Sequence, residues 1–260
     1  MADAATSGNP APGYETHPNH YVEAEVSPKW VRAEFNGETI ADSKRTLIVR
    51  EYRHTPVYYF PREDVRMDLA AKTESETYCP FKGKASYWTL NVGDQTSEDV
   101  IWSYETPYDE AFEIKDYVAF YWNKMDRWFE EEEEIFVHAR DPHVRIDALK
   151  SSKSVRIVHK GVTLADTNRP VLLFETGLHT RYYIPAEDVM MDNFVPSSSE
   201  TSCPYKGTAG YWSMQSGDEL IEDLVWSYPD PLPECGAIKG MLCFYDDKVD
   251  QVFIDGAPLS

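Results

Sequence analysis

A cysteine followed three residues later by a lysine stands at two places in this chain, as Cys79 with Lys82 and as Cys203 with Lys206. A cation close to a thiol can lower the pKa of that thiol and make it a nucleophile or a redox centre. A reactive cysteine usually also needs a base, and no histidine stands at the same place relative to both cysteines. We therefore interpret Cys79 and Cys203 as buried and inert, with a nucleophile as the alternative. We expect each lysine to pair with a ligand or with a carboxylate.

Tyrosines and tryptophans supply a second set of candidate residues, which also occurs twice. The set comprises Tyr59, Trp88, Trp102 and Tyr104, and then Tyr183, Trp212, Trp226 and Tyr228. Flat side chains with polar tips can stack a planar or cationic ligand, or they can simply fill a β core. Because buried Tyr and Trp need partners for their O–H and N–H groups, so many in one small domain indicate a partly hydrated cavity. Both interpretations stay open, and the first predicts an aromatic groove.

Charged residues form a third set. It comprises Arg45, Glu51, Asp64, Asp68 and Lys115, matched by Arg169, Glu175, Asp188, Asp192 and Lys239. A retained cation could hold a carboxylate or a phosphate, or it could close a salt bridge with Glu51 or Asp64. Asp64 and Asp68 could act as an acid and a base, although their spacing alone is a weak signal. The predicted ligand-binding residues are Arg45, Tyr59, Lys82, Trp88 and Trp102, and Arg169, Tyr183, Lys206, Trp212 and Trp226.

All three sets repeat with one constant offset of 124 residues, which takes Cys79 to Cys203. The same offset takes Trp102-Ser103-Tyr104 to Trp226-Ser227-Tyr228. A register kept without a gap indicates two copies of one domain. We predict a flexible N-terminal arm over residues 1–27, a first repeat over 28–136, a linker over 137–151 and a second repeat over 152–260.

The chain is strongly acidic, with 45 acidic and 25 basic residues and a net charge of −20. This charge repels phosphate backbones and anionic membrane surfaces, so we expect no nucleic-acid and no membrane partner. The first 27 residues have neither the apolar core of a signal peptide nor the arginine bias of a transit peptide. No stretch approaches the ~20 apolar residues of a membrane span. We expect a soluble, cytoplasmic protein whose partner is a small molecule of unknown identity.

The four cysteines include no C-x-x-C pair, the arrangement that structural zinc sites normally use. We therefore expect neither a metal nor another cofactor. Cys235 and Cys243 align with Ala111 and Ala119, so we interpret them as small buried residues of the second copy.

Short strands broken by turns dominate both copies, which predicts an all-β fold with a minor helical content. Asn36-Gly37 favours a type I′ hairpin turn, and Lys160-Gly161 takes its place in the second copy. We predict one helical turn at Pro61-Arg62-Glu63-Asp64-Val65 and a short helix over residues 124–134 that ends in a solvated acidic run. Strands are predicted at residues 31–35, 38–41, 46–51, 57–60, 85–90, 99–104 and 117–122, with second-copy equivalents.

Three longer motifs follow one another in a fixed order. They are Tyr58-Tyr59-Phe60-Pro61, Thr77-Tyr78-Cys79-Pro80-Phe81-Lys82-Gly83 and Trp226-Ser227-Tyr228-Pro229-Asp230-Pro231. Together they resemble the family catalogued as domain of unknown function 427, over both copies from about Trp30 onward. The chain departs from the family pattern at Glu105-Thr106, at Ile184 and at Ser202.

This resemblance implies two tandem domains similar to the β-tent fold, in which two sheets meet at an angle and leave a groove. Relatives with that fold often carry zinc, but the C-x-x-C pairs are missing here. The family has also been labelled nucleotidyltransferase-like. The chain has no Gly-Ser followed by a spaced Asp-x-Asp pair, which would hold the magnesium ions of such chemistry.

The leading hypothesis is that each copy binds a small planar or polar ligand in an aromatic-lined groove. One alternative is an enzyme, either cysteine-assisted or a transferase acting on a nucleotide-like substrate. The other alternative is a scaffold whose acidic surface meets a basic protein partner. Aromatic side chains that line one concave site would favour binding, whereas side chains packed without a cavity would favour a purely structural role.

Overall fold

The computed structural model describes residues 8–216 and 219–259, and the chain divides into two compact units, Met1–Asp141 and Pro142–Ser260. Each unit holds one seven-stranded and one four-stranded sheet. The expected all-β fold with two tandem domains is therefore confirmed. No helix in the described ranges has both the length and the apolar character needed to cross a membrane.

Among its described residues, the first unit contains eleven strands. They are β1 (Val22–Val26), β2 (Val31–Phe35), β3 (Glu38–Ser43), β4 (Leu47–Glu51), β5 (Val57–Pro61), β6 (Ala70–Cys79), β7 (Gly83–Val92), β8 (Gln95–Ser103), β9 (Tyr117–Phe120), β10 (Arg127–Glu130) and β11 (Glu133–Ile135). The large sheet has the order β1-β4-β5-β9-β8-β7-β6, and the small sheet has the order β11-β10-β2-β3. One short helix, α1 (Gly13–Thr16), precedes β1, and 3-10 helices lie at Arg62–Asp64, Met67–Leu69, Asp109–Ile114 and Trp122–Lys124.

The second unit repeats this arrangement. Its strands are β12 (Ile146–Lys150), β13 (Val155–His159), β14 (Val162–Thr167), β15 (Val171–Glu175), β16 (Arg181–Ile184), β17 (Phe194–Cys203), β18 (Gly207–Ser216), β19 (Glu219–Ser227), β20 (Leu242–Phe244), β21 (Gln251–Ile254) and β22 (Ala257–Pro258). The sheet orders are β12-β15-β16-β20-β19-β18-β17 and β14-β13-β21-β22. 3-10 helices lie at Ala186–Asp188, Met191–Asn193, Pro233–Ile238 and Asp246–Lys248.

The hairpin turns between the first two strands of each small sheet have the backbone that their sequences predict. Asn36 and Gly37 both have positive φ, 49° and 74°, and Lys160 and Gly161 have 49° and 75°. Two consecutive positive φ angles are the requirement of a type I′ turn, whose twist matches that of the flanking strands. The turn therefore fixes the β2–β3 pairing that covers the core.

Strand pleating decides which aromatic side chains enter the core of the first unit. On β7 and β8, Trp88 lies opposite Ile101, and the preceding Tyr87 lies opposite Trp102. Successive side chains point to opposite faces of a sheet. Trp88 and Ile101 pack in the main core together with Phe60. Tyr87 and Trp102 consequently face the other side of the large sheet.

Two segments that we expected to be irregular instead form edge strands of the large sheets. Part of the predicted N-terminal arm is strand β1, which pairs with β4 from Val22 opposite Glu51 to Val26 opposite Leu47. Part of the predicted linker is strand β12, which pairs with β15. The alternation of apolar and acidic residues in Val22–Val26 is typical of a half-buried strand. The predicted flexible arm and the predicted linker therefore each include residues of an ordered edge strand.

The helix expected over residues 124–134 was also wrong, because this stretch forms strands β10 and β11. Trp128 on β10 is buried in the core, and Glu131 turns the chain with a φ of 52°. The hairpin places Glu130 directly opposite Glu133, so the burial of Trp128, and not the separation of like charges, favours the strands. Strand β6 was not predicted, because most of its side chains are polar and exposed.

Candidate functional site

A cavity of about 510 Å³ opens on the face of the large sheet of the first unit that carries Tyr87 and Trp102. Its aromatic walls include Tyr59, Tyr87, Trp102, Tyr104 and Tyr121, and its polar residues include His20, Glu51, Cys79 and Lys82. Of the residues predicted for this site, the fold brings together Tyr59, Lys82 and Trp102. It also brings the alternative nucleophile, Cys79, to the same cavity.

Strand register fixes the central pair of aromatic side chains, because Tyr59 and Trp102 both lie opposite Ala119 on β9. Their rings are perpendicular with centroids 6.3 Å apart, and the Trp102 indole N–H donates a hydrogen bond to the Tyr59 hydroxyl over 3.2 Å. The ring of Tyr121 tilts against Trp102 with centroids 4.6 Å apart. Tyr59 is buried, whereas Trp102 remains partly exposed. The cavity therefore keeps part of a rigidly held indole accessible.

Tyr104 gives the cavity a hydrogen-bonding group that the described residues do not use. Its hydroxyl has no hydrogen-bond partner in the part of the chain that the structure describes, while its ring is buried. Burial raises the pKa of Tyr104 far above its ordinary value, so the hydroxyl remains a donor at neutral pH. The nearby Tyr87 hydroxyl is already paired with the Thr77 hydroxyl at 2.7 Å.

A compact ion pair closes the polar end of the cavity. The Lys82 ammonium donates a hydrogen bond to one carboxylate oxygen of Glu51, and the other oxygen lies 3.2 Å from His20 Nε2. The side chains of Lys82 and Glu51 are only 10% and 12% exposed. Because each charge compensates the other, Lys82 does not present a free positive charge to an anionic ligand. The repeat conserves this pair as Lys206 with Glu175, whose atoms lie 2.5 Å apart.

His20 lines the cavity without a repeated counterpart, whereas Tyr87 and Tyr121, which the sequence analysis also did not predict, correspond to Tyr211 and Tyr245. The His20 imidazole stacks on the Phe81 ring with centroids 3.5 Å apart and an interplanar angle of 8°. His20 stands just before β1, and the backbone of the next residue is held in place because the Tyr52 N–H donates a hydrogen bond to the Tyr21 carbonyl. The offset places Val144 at the corresponding position of the second unit, so a search for repeated histidines discards it. The alternating pattern of Val22–Val26 was the signal that could have placed it beside β4.

The four cysteines divide into two pairs by exposure. Cys79 and Cys203 are half-buried rather than fully buried as we had interpreted them, whereas Cys235 and Cys243 are buried. Burial raises the pKa of Cys235 to about 11 and that of Cys243 to about 12. Cys79 shares its cavity with His20 and His54. The first unit therefore has a thiol and two imidazoles in one cavity, although neither histidine is repeated.

The structure places the two predicted arginines away from the aromatic walls. The Arg45 guanidinium donates to Asp64 over 2.6 Å and to Glu63 over 2.7 Å, and it lines a separate hollow of about 590 Å³ with Arg62 and Tyr117. Although burial acts to raise the pKa of Asp64, hydrogen bonds from Ser43 and Arg45 hold it below its usual value. In the second unit, Arg169 bonds Asp188 and Glu187 in the same way.

The remaining predicted residues also have structural contacts. Trp88 packs in the main core with the Arg62 guanidinium 4.4 Å from its ring, and Trp212 packs against the core of the second unit. Asp68 pairs with Arg66 at 2.8 Å. Within the described ranges, no group of three or more His, Cys, Asp or Glu side chains could hold a metal ion.

The second unit repeats the aromatic arrangement closely. The Trp226 indole N–H donates to the Tyr183 hydroxyl over 3.2 Å, and the Trp226 and Tyr245 centroids lie 4.5 Å apart. Trp226 is only 7% exposed, however. The Arg181 guanidinium lies 5.3 Å from its ring centroid and donates to Asp246 over 3.1 Å. Arg181 also borders a hollow of about 920 Å³ with His179 and Asp246.

The comparisons with known proteins agree with this internal repeat. The model of one family, described as a domain of unknown function (DUF427), matches residues 23–131 and again residues 147–255. No curated protein matches the chain. The two matches cover most of the sequence and coincide with the two units of the structure. The chain therefore belongs to the DUF427 family and carries two copies of its domain.

Proposed function

We propose that the first unit binds a small molecule with a planar group in its aromatic cavity. The observation that carries this proposal is the partial exposure of Trp102 inside a cavity of about 510 Å³, whereas the matching Trp226 is covered. Cavities of ~300 to 1,000 Å³ are typical of small-molecule sites. Leaving an indole accessible costs the folded protein buried apolar area, which a stacked ligand would restore.

The polar groups of the cavity would orient such a ligand. A ring stacked on Trp102 and Tyr121 lies in the same cavity as the unpaired Tyr104 hydroxyl and the Glu51–Lys82 pair. The hydroxyl can donate to an acceptor on the ligand edge, and the carboxylate can accept from a donor. Rigid aromatic walls with a few fixed polar groups are how small-molecule sites combine affinity with orientation.

Native mass spectrometry of the purified protein, followed by thermal-shift screening of planar heterocycles and small amines, tests this proposal. A ligand raises the melting temperature by mass action when it binds only the folded state. We expect the shift to disappear in Trp102→Leu and to persist in Trp30→Leu, because Trp30 contacts Asp42 on the small sheet, away from the cavity. Equal shifts in both variants, or no bound or stabilising planar compound, would overturn the proposal.

A cysteine-assisted reaction is the second candidate, because Cys79 lies in the same cavity as His20 and His54. The thiolate would be the nucleophile and an imidazole would take its proton. This candidate requires rapid alkylation of Cys79 by iodoacetamide at neutral pH. We expect slow alkylation, because Pro80 stiffens the turn and aromatic rings crowd the thiol. Ligand binding that survives Cys79→Ser would favour the binding function over this alternative.

A further inference from the structure

Each unit has an aromatic frame of two tyrosines and a tryptophan: Tyr59, Trp102 and Tyr121 in the first unit, and Tyr183, Trp226 and Tyr245 in the second. The second unit places one of its own cations against this frame, whereas the first unit does not. Arg181 lies on β16 opposite Leu173, and its guanidinium is 5.3 Å from the Trp226 centroid. Asp246 holds the guanidinium in place over 3.1 Å. The Arg181 side chain is 27% exposed, and the indole next to it is 7% exposed. Arg181 therefore lies against the Trp226 ring and shields part of it from solvent.

Strand register identifies the matching position in the first unit. Val57 lies opposite Val49, as Arg181 lies opposite Leu173. The repeat offset takes Val57 to Arg181 and Val49 to Leu173. Val57 lines the aromatic cavity together with Trp102. A valine is too short to reach across the indole, and none of the described residues places a cation over the Trp102 ring. The volume that Arg181 fills in one unit is therefore part of the open cavity in the other.

The partner of the arginine is replaced as well. Asp246 corresponds to Trp122, whose ring stacks on Trp128 with centroids 4.5 Å apart and an angle of 6°. The first unit thus lacks both the guanidinium and the carboxylate that holds it, while the contact of the tryptophan with the tyrosine is the same in both units. The units therefore differ at two neighbouring positions: the second unit has the arginine and its carboxylate partner, and the first unit has neither.

We propose that the cavity of the first unit accepts a ligand with a guanidinium or similar planar cation, placed over Trp102 as Arg181 is placed over Trp226. This inference rests on the proposed binding function and names the ligand class. Planar cations bind indole faces through the ring quadrupole as well as by stacking. The Lys82 charge is compensated by Glu51, and the net charge of −20 attracts cations to the protein.

Two probes, n-butylguanidinium and n-butylurea, have the same planar shape but differ in charge. Comparing them distinguishes the contribution of the positive charge to binding from that of the planar group. Each is titrated into the uniformly ¹⁵N-labelled full chain while the seven tryptophan indole N–H resonances are followed. We expect n-butylguanidinium to shift the Trp102 resonance and to bind about fivefold or more tightly than n-butylurea, as a cation–π contribution implies. The Trp226 resonance should not respond, because Arg181 covers that indole.

Exchanging the two covering residues provides matched variants. Val57→Arg should fill the cavity and weaken n-butylguanidinium binding at Trp102 by about tenfold or more. Arg181→Val should uncover the second site, so that the Trp226 resonance begins to respond. The second variant keeps the inference testable if Val57→Arg fails to fold, since the dispersion of the other indole resonances reports folding directly.

The outcomes distinguish this inference from the proposed function. If n-butylurea binds as tightly as n-butylguanidinium, or if only neutral heterocycles bind at Trp102, the cation inference is overturned and the binding function stands. If no planar compound moves the Trp102 resonance, both are overturned. A capped arginine, N-acetylarginine methylamide, distinguishes an arginine side chain of another protein from a free small cation as the ligand. If the capped arginine binds, a protein arginine can enter the cavity. If n-butylguanidinium binds and the capped arginine does not, the site accepts free small cations.

Discussion

The two units share one aromatic frame and differ in what lies beside it. In the first unit, His20 from the N-terminal segment contacts Glu51, and Trp102 is open. In the second unit, Arg181 covers Trp226, and two cysteines replace alanines behind the frame. The frame itself depends on strand register and core packing, which the repeat preserves. The comparison teaches that residues shared by the copies build the same aromatic arrangement in both, whereas residues found in one copy only differ in how much of its tryptophan they leave exposed.

The largest expected effect on stability comes from breaking the buried ion pair, and the size of the loss should differ between the units. Lys206→Met leaves the Glu175 carboxylate buried without its cation, and we expect a loss of about 3 kcal/mol in the stability of the second unit. Lys82→Met should cost roughly 1 kcal/mol less in the first unit, because His20 still lies 3.2 Å from Glu51. Calorimetry of the full-length variants measures both. Equal losses would show that His20 contributes nothing to the pair.

Alkaline pH should weaken the second unit before the first. Burial raises the folded-state pKa of Cys235 to about 11 and of Cys243 to about 12, from an ordinary value of 9.0. Above pH 9 the unfolded state therefore releases protons that the folded state retains, so stability falls as pH rises. We expect a loss of about 2 kcal/mol between pH 9 and pH 10 for the two thiols together.

The first unit provides the control for this pH dependence, because Ala111 and Ala119 stand at the matching positions. The double substitution Cys235→Ala with Cys243→Ala should remove the loss from the second unit. Urea unfolding at pH 8, 9 and 10 measures it. A slope that persists in the double variant would assign the effect to the buried tyrosines, which occur in both units.

A smaller effect should follow from loosening the N-terminal segment of the first unit. A Cβ added at Gly13 would meet the Phe81 ring at 2.6 Å, closer than any real contact. Gly13→Ala should therefore cost about 1 kcal/mol or more and disturb the His20–Phe81 stack. Gly236→Ala is the matched control, because its Cβ would meet nothing within 4 Å. Similar stabilities for the two variants would show that the segment contributes little.

The smallest expected effect on stability comes from uncovering Trp226. Arg181→Val removes one cation–π contact and one partly exposed ion pair, together worth about 0.5 to 1 kcal/mol. Arg145→Ala, which removes the exposed pair with Asp147, should cause no measurable change. A loss as large as that of Lys206→Met would mean that Arg181 is a structural residue rather than a removable cover.

The repeated strands, the Asn36-Gly37 turn and the tandem organisation followed from the sequence, because local patterns and the offset determine them. Which tryptophans line the cavity could not be predicted from the sequence. Trp88 and Trp102 are equally aromatic and equally repeated, and only the pairing of Trp88 with Ile101 and of Tyr87 with Trp102 places them on opposite faces. Register between strands is a tertiary property that a period of two residues leaves undetermined.

Other errors had different causes. The local sequence predicts a short helix over residues 124–134, because it does not reveal that Trp128 is buried in the core. His20 could not be placed in the cavity from the sequence, because it lies in the segment predicted to be a flexible arm and has no repeated counterpart. A search limited to repeated residues finds what both copies share, and it removes whatever makes one copy different.

The contact of His20 with Phe81 and Glu51 has a consequence for how this protein is divided into modules. The family match begins at residue 23, three positions after His20. A first domain excised at that boundary would keep its sheets and its tryptophan but would lose one wall of its cavity. The family domain and the set of residues that line the cavity therefore have different borders. A copied domain can acquire a new specificity from the segment joined to its end, without any change in the frame that it inherited.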